Sequence, residues 1–484
     1  MRRSLVVLGL IATSLVAATP PAVAAPTTVP VQILAINDLH GRISLTQGNE
    51  SRLVTGPGPD GVYGKNSSGV SDDEVTRVGG AANIATTVKD LQSDFRDLAG
   101  GAAASFLVSG GDVIGASPPL SADYRDEPSI EIANALGVDV STVGDDEFSQ
   151  GTQQLLRLSG ATDGQNSDDV TACQGVTAGS DGCFGTGEHA FTGANYPYLA
   201  ANVVSRSTGQ PILPPYQILY TPTGYRVAFI GVVTQKTPEK VPVEGLGDVE
   251  IRDEADTVNR YVRELRGQGV QAIGVLMHDG GVTRGPAALD PNGCDGLTGA
   301  VLDLNQRIDP AVDLLVNGFT HGAYRCLLPV PGGEPRLVTQ AGSYGRLVTD
   351  IRLTLDRASG DVDRAATYTA TNVPVTREAP DQRIASIVAY WAAGPSNQPA
   401  AGEPTDAAAP VDAAAAETPS RAWLGALALV VVVVVLVGTG VVLRRRTLER
   451  QFGGVARRRN PIKERRPGRH EGETPADDPA DARR

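Results

Sequence analysis

Val31-Gln32-Ile33-Leu34-Ala35-Ile36 runs directly into Asn37-Asp38-Leu39-His40-Gly41, and this stretch decides how the rest of the chain is read. A run rich in β-branched and apolar residues predicts a buried strand. It stops at a polar segment that carries a carboxylate and an imidazole two positions apart. Strand alternation would turn Asp38 and His40 to the same side.

Four more runs follow the same plan. The run starting at Ser105 ends in Gly110-Gly111-Asp112, and the run 139–143 ends in Gly144-Asp145-Asp146-Glu147-Phe148. The run at Gln271 ends in His278-Asp279-Gly280-Gly281, and the one at Val312 ends in Gly318-Phe319-Thr320-His321. Amphipathic helices are expected over 80–91, 128–136 and 255–267, with a further helix over 381–391, so the fold class is α/β. Two polar stretches, 47–73 and 159–189, read as surface loops.

In such domains the reactive crevice lies beyond the carboxyl ends of the strands, where several loops converge. Of the five histidines in the chain, three (His40, His278 and His321) stand at these ends. Chance placement is a poor account of that. The mixture of carboxylates and imidazoles suits a divalent transition metal such as zinc, manganese or iron.

In this order the motifs Asn37–Gly41, Gly110–Asp112, Gly144–Phe148, His278–Gly281 and Gly318–His321 resemble the 5′-nucleotidase branch of the calcineurin-like metallophosphoesterases. GGAANIA at Gly79, AANVV at Ala200, FIGVVTQKTP at Phe229 and QAGSYGR at Gln340 extend the resemblance over 31–355. It implies a four-layer sandwich, two packed mixed sheets flanked by helices, and a two-metal centre. Asp38, His40, Asp112 and His321 would hold the first metal. Asp112 would bridge to a second, shared with Asp145, His278 and the position of Phe319. The implied activity is hydrolysis of a phosphate ester or nucleotide by a metal-activated water.

Three positions depart from the family pattern. Asp145-Asp146 stands where the family has Asn-His, so the implied catalytic position is occupied by Asp146, whose negative charge would repel a phosphate. Phe319 replaces a histidine ligand and offers no lone pair. One metal site is thus expected to be complete and the second weakened, with zinc, manganese or similar ions as cofactors. The alternative these departures imply is a catalytically impaired protein acting as a metal- or ligand-binding module of the cell envelope. The chain also goes from the 381–391 helix directly to a low-complexity stretch, where larger family members carry a nucleoside-binding domain.

The flanks define a topology. Residues 1–24 read as a signal peptide, with Arg2-Arg3, an apolar run and Ala22-Val23-Ala24. The catalytic-type domain is expected over 29–391, an Ala/Pro-rich stalk over 394–420, a single transmembrane helix over 422–443 and a basic tail over 444–484. Arg444-Arg445-Arg446 puts the tail in the cytoplasm and the domain outside. A formal net charge of -13 argues against nucleic acid as a partner. A small phosphorylated substrate, a nucleotide among the candidates, is expected instead. All four cysteines lie in the exported part, where disulfides persist. They allow three pairings. Cys173 with Cys183 is expected from their closeness, which leaves Cys294 with Cys326.

Overall fold

The computed structural model describes residues 27–100, 103–160 and 172–395. The expected signal peptide, transmembrane helix and tail, and the stalk beyond 395, lie outside the described residues. Among the described residues no helix is long and apolar enough to cross a membrane.

Twelve strands make two six-stranded mixed sheets. The first sheet uses β1 (Thr28–Ile36), β2 (Ala104–Ser109), β3 (Val140–Thr142) and β4 (Tyr198–Leu199) from the amino-terminal half. The second uses β5 (Tyr216–Tyr220), β6 (Arg226–Val233), β7 (Ala272–His278), β8 (Leu314–Asn317), β9 (Ala323–Leu328) and β10 (Arg336–Ala341). The chain then returns to the first sheet with β11 (Leu347–Asp356) and β12 (Tyr368–Pro374). The strand orders are β12-β11-β1-β2-β3-β4 and β9-β10-β8-β7-β6-β5. β1 is parallel to β2 and antiparallel to β11, while β6, β7, β8 and β10 run parallel to one another.

The sheets pack face to face. Val31 and Ile33 of β1, Phe106 of β2, Phe229 of β6, Leu276 of β7 and Ile351 of β11 belong to the shared core. The opposite faces are covered by helices. Leu34, Ile36 and Leu107 pack with Ile84 and Val88 of α1 (Ala81–Ala99) and Ile130 of α2 (Glu127–Leu136). Ile230, Val275 and Leu315 pack with Val258 and Val262 of α3 (Glu254–Gly267) and Val301 of α4 (Ala300–Arg307). Burial on both faces is why these strands read as unbroken apolar runs. Each such side chain contributes about 1.5–3 kcal/mol by leaving water. Phe229→Ala, which would empty the middle of the sandwich, should cost about 3–5 kcal/mol.

The last described helix, α5 (Gln382–Ala393), starts at Asp381, whose carboxylate accepts from the Ile384 amide. It buries Ile384, Ile387 and Trp391, and the Trp391 indole donates to Glu131 Oε2 on α2. The two polar stretches are not wholly loop. Residues 52–56 pair with Glu74–Arg77 as an antiparallel hairpin, since Leu53, Val54, Val75 and Thr76 supply enough β-type residues to zip a ribbon around a polar tip. The second stretch is stapled instead, by the bond from Cys173 to Cys183 at a Cα separation of 5.8 Å; elsewhere Cys294 is bonded to Cys326 on β9 at 5.2 Å.

Candidate metal centre

Five strand ends converge. The loops after β1, β2 and β3 meet the ends of β7 and β8, which bring Asp38, His40, Asp112, Asp145, His278 and His321 together. Strand pleating does not turn Asp38 and His40 inward, because both lie beyond β1 with left-handed backbones, φ 49° and 47°. Asp112, Phe319 and His321 share this conformation, at φ 50°, 75° and 58°. Neighbouring chain holds it in place. The Asp38 and His40 amides donate to the Gly111 and Asp112 carbonyls, and the Tyr344 amide donates to the Asp38 carbonyl.

Two half-sites share Asp112. On one side, His40 Nε2 lies 2.9 Å from His321 Nε2, 3.7 Å from Asp112 Oδ2 and 4.0 Å from Asp38 Oδ1. On the other side, His278 Nε2 lies 3.1 Å from both Asp112 Oδ2 and Asp145 Oδ1. Ligand-type atoms of Asp38, His40 and His321 lie within 4.8 Å of one another, as do those of Asp38, Asp112 and His278. Asp38 and His278 are fully buried, whereas the His321 side chain is 36% exposed.

The imidazoles are oriented from behind. His278 Nδ1 meets the Gly110 carbonyl at 2.8 Å, and His40 Nδ1 meets that of Gly115 at 3.0 Å. A carbonyl only accepts, so each Nδ1 carries the proton and each Nε2 lone pair is left for the site. Glycines let the backbone close around His278. A Cβ on Gly111 or Gly318 would come within 2.7 Å of its Nδ1.

Charge distribution fits a cation. Burial, reinforced by the Asp112 charge, pushes the Asp38 carboxyl up to about 7 against the pull of His278. Burial works to lower His40, but the hydrogen bond to Asp146 and the charges of Asp112 and Asp38 prevail and push it up to about 9. His278 is driven well above its ordinary value in the same way, with burial opposed chiefly by Asp112. Burial and the charges of His40 and His278 bring His321 down to about 4. Three carboxylates gathered in a buried pocket call for positive charge, which protons on the imidazoles or a divalent ion can provide.

Asp146 and Phe319 also have definite places. Asp146 Oδ2 lies 3.2 Å from His40 Nδ1. Ligand-type atoms of His40, Asp112 and Asp146 also lie within 4.8 Å of one another. Phe319 brings its ring to the second half-site, 5.8 Å from the His278 ring, and its amide donates to Asp38 Oδ1.

Sequence reasoning passed over Glu147, Asn37 and Tyr344. Burial pushes the Glu147 carboxyl up to about 8, and its oxygens accept from the Asp112, Val113 and Gly144 amides. It ties the β2 and β3 loops together. Asn37 donates to Asp38 Oδ2 and the Gly342 carbonyl and accepts from the Ala341 amide, which joins the two sheets at the site. Tyr344 packs edge-on to His40 and His321. All three stand inside the motifs 37–41, 144–148 and 340–346, and Glu147 immediately follows the two aspartates.

No family model matches the chain. It is 32% identical over 336 residues to endonuclease YhcR of Bacillus subtilis, covering 69% of this chain and 23% of that protein. To cell wall protein Lmo0130 of Listeria monocytogenes it is 30% identical over 364 residues, 72% of this chain and 40% of that one. The chain therefore spans well under two thirds of these relatives. Its fold is shared with a 5′-nucleotidase precursor from Thermus thermophilus, at a TM-score of 0.52 and 20% identity over 75% of this chain and 58% of that one. With the ordered motifs and the paired half-sites, the chain belongs to the 5′-nucleotidase-like metallophosphoesterases.

Proposed function

We propose that this protein is a metal-dependent phosphoesterase, anchored at the cell surface, that hydrolyses a phosphate ester or nucleotide outside the cell. The observation that carries this reading is the meeting of two half-sites on Asp112, with the Nε2 atoms of His40 and His278 both turned inward. Asp38, His40, Asp112 and His321 would hold one divalent ion, and Asp112, Asp145 and His278 a second. When bound, such ions supply Lewis acidity that activates water and neutralises phosphoryl charge.

The chain's own groups set the stage for this. The Gly110 and Gly115 carbonyls keep the proton on the far nitrogen of each imidazole. The Phe319 and Asp146 amides fix one oxygen each of Asp38 and Asp112, so both carboxylates are aimed before any ligand arrives. His321 is the most exposed member of the set.

The test uses the full chain loaded with manganese or zinc and an aryl phosphate as substrate. Turnover that disappears in His40→Ala and follows metal content supports the reading. Full metal occupancy without turnover on monoesters, diesters or nucleotides would sink it. That result would favour the second reading, a binding module, for which the specific support is that Asp146 is engaged with His40 and Phe319 offers no ligand.

Anchoring is a separate part of the proposal and rests on the apolar run 422–443 and the arginines after it. Protease added to intact cells should release a fragment ending within 394–420 and spare the tail. Loss of the tail with the domain retained would reverse the orientation.

A further inference from the structure

We propose that Lys236 and Lys240 form an anion-binding subsite on the Phe319 side of the centre, taking a phosphoryl oxygen of the substrate. This rests on the phosphoesterase reading and adds a residue-level account of how a site with no ligand at Phe319 meets the charge of a phosphate.

The placement follows from the fold. β6 and β7 are parallel neighbours in register, with Val233 opposite His278, so the loop after β6 emerges beside the second half-site. Its root is pinned: the Thr234 amide donates to the His278 carbonyl, Thr234 Oγ1 donates to Asp279 Oδ2, and the Gln235 amide donates to Glu254 Oε1. From this anchored root the chain makes the short helical turn Thr237–Lys240. The Lys236 and Lys240 ammonium groups come to 5.9 and 5.6 Å from the centroid of the Phe319 ring. That ring is itself 5.8 Å from the His278 ring.

Two ammonium groups drawn to one aromatic ring repel each other, and the ring's electron-rich face compensates for only part of that repulsion. Among the described residues neither lysine is paired with a carboxylate. An anion is the partner that would satisfy both. The other aromatic at the centre differs on this point. Arg42 lies 4.2 Å over Tyr344, but its guanidinium already donates to the His40 and Ala116 carbonyls. Uncommitted positive charge therefore stands on the side where Phe319 has displaced a metal ligand, and flexible ammonium groups suit a phosphate that enters from solvent.

Binding of inorganic phosphate to the manganese-loaded full chain, measured by calorimetry at low and high salt, tests this alongside aryl phosphate kinetics. In Lys236→Gln/Lys240→Gln, phosphate affinity should fall about tenfold and its salt dependence should flatten. KM should rise by more than kcat falls. Manganese equivalents should be unchanged, and Lys236→Arg/Lys240→Arg should stay within about twofold of the parent. Phosphate affinity within about twofold of the parent in the glutamine variant overturns the subsite, as does a loss that only accompanies loss of manganese. If the parent turns over esters and the glutamine variant is unaffected, the subsite fails alone. If phosphate binds through the lysines but no ester is hydrolysed, the phosphoesterase reading fails and the subsite stands.

Discussion

Asp146 Oδ2 approaches His40 Nδ1 at 3.2 Å, so a carboxylate stands directly behind an imidazole whose other nitrogen faces the centre. Such a carboxylate raises the basicity of a ligating imidazole and fixes its ring. Asp146→Asn is therefore expected to weaken metal binding at the first half-site about 10–100-fold. Competition titration with a metal indicator measures it. An unchanged affinity would mean that the Gly115 carbonyl alone orients His40.

Phe319 holds a position that only its side chain disqualifies. Its amide already supports Asp38, and histidine tolerates a left-handed backbone better than most residues do. Phe319→His should raise tightly held metal after dialysis from about one equivalent to two, as read by elemental analysis of the full chain. A single equivalent in a folded variant would show that the ring position cannot be converted into a ligand.

Protonation should compete with metal. His40 has its folded value raised to about 9 from an ordinary 6.5, so its proton stabilises the ion-free protein fully below about 6.5 and that stabilisation is lost as pH rises through 9. The Tm of chelator-treated protein should fall across this window. The gain in Tm on adding manganese should widen over the same range, because the ion displaces that proton. A gain that is flat with pH would contradict the assignment of His40 to the ion.

The two disulfides should differ in value. Cys294 and Cys326 are 32 residues apart and Cys173 and Cys183 only 10, so the longer loop constrains the unfolded chain more. Replacing the 294–326 pair by alanines should cost about 3–4 kcal/mol and the 173–183 pair about 2–3 kcal/mol. Denaturant titration under non-reducing conditions distinguishes them. Equal costs would argue that native contacts around each bridge, rather than loop length, set the contribution.

Much of the architecture was legible because strands buried on both faces need continuous apolar sequence. β1, β2, β6, β7 and β8 announce themselves that way, and α1, α2 and α3 carry a clear apolar stripe. β9 and β12 were not visible as such. Burial alternates along Ala323–Leu328, but exposed Leu327 is as apolar as buried Cys326, so the sequence does not carry the alternation that marks a half-buried strand. The six ligand-type residues were legible from their recurrence after strands. The backbone that aims them was not, since nothing in Asn-Asp-Leu-His marks Asp38 and His40 as left-handed. Lys236 and Lys240 were equally silent, because an exposed lysine gains meaning only from the ring it reaches across the fold.

The pairing of β1 with β11 also fixes the order in which this protein can be made. Thr28 lies opposite Asp356 and Ala35 opposite Thr349, so β1 stays without one neighbour until more than 300 further residues have followed. Contacts of such sequence separation form late. Until then the edge of β1 that β11 covers has no partner. Completion of the first sheet, and with it the seating of Asp38 against the Tyr344 amide, is therefore a late step of folding.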